Sequence, residues 1–150
     1  MDRRSILKAA GTISAAAAAV AAFPRAVFAA YSEKAFKNPK VEGSLNELFG
    51  SNATTPSGDV KLKAPDIAEN GAVVPIEVST SMKADKIAFM VKENPNPLAI
   101  VADIPAGTEA MVKTRVRMGK TTQVTAIVSS NGKLYTASKE VKVTIGGCGG

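Results

Sequence analysis

Cys148 is the only cysteine of the 150 residues, and it stands between Gly146-Gly147 and Gly149-Gly150. Glycine has no Cβ, so the four neighbours leave the backbone free and put no bulky side chain beside the sulfur. A structural cysteine is usually buried, and a position two residues from a terminus is a poor place for burial. The pattern points to thiol chemistry on an accessible arm. No helix N-terminus or fixed cation falls beside the cysteine in the sequence, so nothing marks it as a self-activated nucleophile. Histidine is absent, which removes Ser-His-Asp and Cys-His systems and imidazole metal sites. A passive thiol, acted on by other proteins, fits these residues better than a catalytic one, and neither a metal nor a cofactor is expected.

Two further groups invite chemistry. Lys113, Arg115 and Arg117 alternate with Val112, Thr114, Val116 and Met118, which sets three cations on one face of a strand and the apolar set on the other. That face is either a docking or anion-attracting patch or the solvated side of a half-buried strand. Met82, Met90, Met111 and Met118 raise a copper reading, but with no histidine to complete a site core filling is the better account.

The elements that must position the thiol follow from the rest of the chain. Arg3-Arg4-Ser5-Ile6-Leu7-Lys8, an Ala-rich apolar run to Phe23, and Val27-Phe28-Ala29 read as a twin-arginine export signal over residues 1–29, cleaved after Ala29 or Ala30. The run is shorter than the ~20 residues that span a bilayer, so no membrane association is expected after cleavage. The signal holds Arg3, Arg4, Lys8 and Arg25 against Asp2, so its loss lowers the formal net charge from +6 to +3. Most of the case for nucleic acid as a partner goes with it. Export implies a periplasmic, oxidising location, where an unpaired cysteine either joins another molecule or is used chemically.

Residues 30–59 are polar and irregular, with a short helix predicted at 44–49, where Ser44 caps and Glu47 follows three residues later. Residues 60–145 read as a domain of about seven or eight short strands. These are 60–63, 72–79, 86–91, 98–103, 109–118, 121–129, 133–138 and 139–145, with turns at Asn70-Gly71, Glu93-Asn94-Pro95-Asn96-Pro97, Gly119-Lys120 and Asn131-Gly132. This predicts an all-β, immunoglobulin-like antiparallel sandwich. Pro75 lacks an N–H, so its strand is expected at an edge or with a bulge. Ile87, Phe89 and Val91 oppose Ala88 and Met90, and Leu98, Ile100 and Ala102 oppose Ala99 and Val101. Apolar residues on both faces require a cover, either the N-terminal segment or a second protein. In the last strand Val141, Val143 and Ile145 face the core, and residues 146–150 form a flexible arm that holds the thiol roughly 10 Å from Ile145.

The twin-arginine start, the stretch Ala64-Pro65-Asp66-Ile67-Ala68-Glu69-Asn70-Gly71-Ala72-Val73-Val74-Pro75, the segment Thr114-Arg115-Val116-Arg117-Met118 and the terminal Gly-Gly-Cys-Gly-Gly together resemble the SoxY family of sulfur-carrier proteins. The resemblance implies an immunoglobulin-like domain that pairs with a SoxZ-type subunit as a heterodimer. It implies that Cys148 covalently carries oxidation intermediates of thiosulfate or related inorganic sulfur compounds, and that the protein itself catalyses nothing. The implied partners are a c-type cytochrome, a metal-dependent hydrolase and a sulfur dehydrogenase. Gly146, Gly147, Gly149 and Gly150 would then give flexibility and clearance in several enzyme pockets. Two other uses of this C-terminus compete. An exported immunoglobulin-like adaptor would use Cys148 for an intermolecular disulfide, and a ubiquitin-like sulfur carrier would use the Gly149-Gly150 carboxylate, although the export signal and all-strand pattern suit that second class poorly.

Overall fold

Apolar residues on both faces of residues 86–91 demand cover on both sides, and the computed structural model of the chain, which describes residues 32–144, supplies it. The elements are α1 (Glu33–Lys37), α2 (Val41–Phe49), β1 (Thr54–Pro56), β2 (Val60–Lys63), β3 (Ile67–Ala68), β4 (Val74–Thr80), β5 (Lys86–Val91), β6 (Leu98–Asp103), β7 (Met111–Val116), β8 (Thr122–Ser130) and β9 (Lys133–Val143). The larger sheet has the order β1-β9-β8-β5-β6, with β3 also on β9, and the smaller sheet is β2-β4-β7. All pairs are antiparallel except β1 and β3, which run parallel to β9 at its two ends. The result is the expected all-β sandwich. No helix among the described residues is long and apolar enough to cross a membrane.

Ile87, Phe89 and Val91 of β5 enter the core between the sheets with Val74, Ile76, Val78, Val124, Val128 and Val141. Ala88 and Met90 face the other way and pack with Ala35, Leu45, Leu98, Ile127 and Leu134. The cover on the outer face is therefore the chain's own N-terminal helices, a third layer. Leu98 departs from simple alternation. Met90 is paired with Leu98 while Phe89 is paired with Ile100, so Ala99 is an extra residue in a β-bulge. That single insertion turns Leu98 from the face expected to hold Ile100 to the helix side, because side chains alternate with period two.

The helical layer also differs from the expectation. Helix α2 begins at Val41, three residues before Ser44, and Ser44 is buried inside it, its hydroxyl donating to the Asn38 carbonyl at 3.4 Å. The polar contact at the start comes from Asn38, whose Oδ1 accepts from the Lys40 N–H at 3.0 Å. Gly50 ends α2 in the left-handed region at φ 71°, where a Cβ would be strained, and its N–H donates to the Asn46 carbonyl at 2.8 Å.

Pro75 lies in the middle strand of the smaller sheet rather than at an edge. It pairs with Arg115 on β7, but β2 stops with Lys63 opposite Glu77, so the flank beside Pro75 has no partner strand to accept an N–H. Residues 133–143 form one strand, not two. The methionines divide: Met90 and Met118 are buried and Met82 packs against the core, whereas Met111 is 41% exposed, contrary to core filling.

Leu45 is 4% exposed against the larger sheet. Leu45→Ala should lower the unfolding free energy by about 2–4 kcal/mol, measured as a drop in the urea midpoint at constant slope. A loss below about 1 kcal/mol would mean that the helices are a dispensable cover.

Candidate functional site

The chain leaves the sandwich at the end of β9, and the interactions there determine how well the root of the last segment is held. Val141 is buried in the core and Val143 packs against it. On one side of β9, Thr122 of β8 pairs with Val141, and the Thr121 hydroxyl accepts from the Val143 N–H at 2.9 Å. On the other side β3 runs alongside, with Ile67 beside Lys142 and Ala68 beside Val143. The Lys142 N–H donates to the Asp66 carbonyl at 3.0 Å and the Thr144 N–H to the Ala68 carbonyl at 3.1 Å. The Thr144 hydroxyl donates to the Glu69 carbonyl at 3.1 Å. Lys139 adds a charged tie, donating to the Ala64 carbonyl at 2.6 Å and lying 3.0 Å from the Asp66 carboxylate. The root is thus gripped from both edges up to Thr144. Cys148, Gly146, Gly147, Gly149 and Gly150 lie outside the described residues.

The clamp was the part that sequence reasoning missed. Residues 66–69 are given no element in the sequence reading because a two-residue strand is too short to alternate. The Asn70-Gly71 turn itself is present, with Asn70 Oδ1 accepting from the Ala72 N–H at 2.9 Å, an Asx turn.

Lys113 and Arg115 are exposed on β7, and Arg117 is exposed one residue past its end, with Val116 and Met118 buried opposite. Their surroundings differ. Glu77 lies beside Lys113 on β7 and Lys63 on β2 in register, at 3.0 and 3.1 Å from their ammonium groups. The hydrogen bond from Lys113, then that from Lys63, hold the Glu77 carboxyl below its ordinary range. Arg115 forms no ion pair with a described residue, and it lines an open groove of about 810 Å³ with Lys63, Pro65, Pro75, Glu77 and Lys113. Arg117 stands beyond the groove, its carbonyl accepting from the Asn94 side-chain amide at 2.7 Å. No cluster of three metal-ligating His, Cys, Asp or Glu side chains occurs among the described residues.

Comparison with known proteins gives two informative results. Residues 45–148 match the family described as sulfur oxidation protein SoxY, and the matched range ends on Cys148. The solved structure of the sulfur carrier protein SoxY from Chlorobium limicola f thiosulfatophilum is 39% identical, with a TM-score of 0.64 over 71% of this chain and 97% of that one. An engineered protein, 11% identical with a TM-score of 0.40 over 57% of this chain and 20% of its own, is too distant to carry an argument. No curated protein sequence matches.

The Glu77 pairing has a defined pH signature. A carboxyl whose folded-state pKa is depressed contributes stability above its unfolded value and loses it as pH falls through the folded value. Glu77→Gln should therefore lower the melting temperature at pH 7, and the gap to the unaltered protein should close as pH falls through the depressed folded-state value of Glu77, below which both side chains are neutral. A gap that persists unchanged at acid pH would assign the effect to packing instead.

Proposed function

The chain belongs to the SoxY family of sulfur oxidation proteins, and from that premise we propose that it is a periplasmic, non-catalytic sulfur carrier whose Cys148 holds the substrate covalently. The observation that carries this reading is the family match running through the chain's one cysteine. The gripped end of β9 supports it, since a short arm presents its thiol usefully only from a root that stays in place.

The chemistry balances with the thiol as attachment point. A c-type cytochrome would couple the Cys148 sulfur to the sulfane sulfur of thiosulfate. The new S–S bond forms as two electrons pass to the cytochrome and the thiol proton to solvent. A metal-dependent hydrolase would then add water at the sulfonate sulfur, break the S–S bond to it, release sulfate and leave a persulfide on Cys148. A sulfur dehydrogenase would oxidise the remaining sulfane to the sulfonate level, taking six electrons with oxygen from three waters, and a second hydrolysis would restore the thiol. A covalent intermediate cannot diffuse away between these enzymes, which is the gain from tethering.

In this reading Gly146, Gly147, Gly149 and Gly150 allow one thiol to enter pockets of different shape. Arg115 and Arg117 would attract an anionic substrate or an acidic partner surface, while Lys113 and Lys63 share the Glu77 carboxylate. A SoxZ-type subunit would complete a heterodimer, delivered with it by the twin-arginine route.

Cys148→Ser should abolish thiosulfate-dependent electron transfer in a reconstituted system with the fold intact by circular dichroism; retained turnover would sink the carrier reading. Gly147→Val and Gly149→Val should leave alkylation of Cys148 by iodoacetamide within about twofold while slowing enzymatic processing by about tenfold or more, a barrier of about 1.4 kcal/mol. Unchanged processing in those variants would show that clearance beside the sulfur is unimportant.

A further inference from the structure

A tether this short restricts where an enzyme can sit. From Thr144 to Cys148 the extended chain spans at most about 13–14 Å, roughly the radius of gyration of a domain this size. An enzyme whose reacting atoms lie within a channel must therefore bring its rim onto the surface around Thr144 before the thiol reaches them. On the β3 side the described residues against this root are 66–69, through the Lys142–Asp66, Thr144–Ala68 and Thr144–Glu69 hydrogen bonds, with 70–73 following them in sequence, while Thr121 flanks it on the β8 side.

That segment is built to stay in place and yet leaves apolar side chains outside. The Met118 N–H donates to the buried Gly71 carbonyl at 2.7 Å, and the Asn70 turn closes on Val73. Three large hydrophobic residues are exposed among the described residues, and two of them are here: Ile67 at 57% and Val73 at 51%. The third, Met111, pairs with Ser79 at the far end of the β4–β7 ladder, whereas Val73 adjoins the Val74–Val116 pair at the near end. Five residues of strand, about 17 Å, separate the two ends. Transient interfaces draw their affinity from a few desolvated apolar contacts within a polar rim, and Ile67 and Val73 are the exposed large apolar side chains of this segment.

We propose that residues 66–73 are the seat on which the carrier's partner enzymes bear, with Ile67 and Val73 contacting an apolar rim at the channel mouth. This rests on the carrier reading of Cys148. One segment would then both clamp the arm's root and align the enzyme over it.

The test uses the full mature chain with its partner enzymes and thiosulfate, varying carrier concentration. Ile67→Asp with Val73→Asp should raise the KM for the carrier about tenfold or more, the effect expected of two interface contacts, with iodoacetamide alkylation of Cys148 unchanged. Met111→Asp should stay within about twofold by the same measure of contact loss. Six glycines inserted after Gly146 should shrink the penalty of the double substitution, because a longer arm no longer needs its root against the rim. Hydrogen exchange on the unsubstituted chain guards against misfolding of the variants: amides in 66–73 should be slowed by a partner enzyme. A KM within twofold for the folded double variant, or no slowing in 66–73, overturns the seat. If Cys148→Ser keeps its turnover, the carrier reading falls as well; if it is inactive, only the seat is lost.

Discussion

The arm's end of this molecule hangs from one strand, β9, which is held along both edges. Strand β8 pairs with it from Ser130–Lys133 to Thr122–Val141, and on the opposite edge β1 takes one end and β3 the other. Each of these contacts has a modest net worth, about 1 kcal/mol per hydrogen bond. Their placement matters more than their sum. Ladder bonds to a single neighbour would let the final turn of strand fray, as free ends do. With Asp66, Ala68 and Glu69 accepting on one side and Thr121 on the other, β9 and Thr144 are tied to both neighbours.

The same economy appears in the layering. Strand β5 carries apolar residues on both faces, and a sandwich alone would leave Ala88 and Met90 against water. Helices α1 and α2 take that face through Ala35 and Leu45, so residues before the first long strand complete the core. The smaller sheet is left with a solvated outer face whose only acid in the groove, Glu77, sits between two lysines. Exposed ion pairs add little stability, but this one sets an acid against Lys63 and Lys113 and leaves Arg115 without an ion-pair partner among the described residues.

Much of this was legible from residue order. Strands 86–91 and 98–103 have their expected limits because clean alternation and a Pro-Asn-Pro turn mark them, and Asn131 and Gly132 turn β8 into β9 with the positive φ that such a hairpin requires. The misreadings have local causes. Leu98 changes face because a one-residue bulge leaves no mark in the pattern. Ser44 satisfies the rule for a cap, yet the helix starts earlier because Asn38 reaches the Lys40 N–H from outside. Residues 136–140 hold no large apolar side chain, so β9 read as two strands, and only the β8 ladder, with the Thr125–Ser138 hydroxyl pair at 2.8 Å, shows that it continues. β3 is too short for any periodicity. The family was legible because a lone cysteine among four glycines is a matter of composition rather than packing, whereas the grip on the end of β9 depends on contacts 75 residues apart in sequence.

The central claim is that Cys148 is an attachment point for sulfur rather than a cross-link. Intact-mass analysis with peptide mapping of the chain, purified without reductant from cells oxidising thiosulfate, tests it most directly. The account predicts a mixture of sulfane- and sulfonate-bearing adducts confined to the C-terminal peptide and removed by reductant. A thiol found only in a disulfide-linked dimer, or a modified C-terminal carboxylate beside an unmodified cysteine, would contradict it.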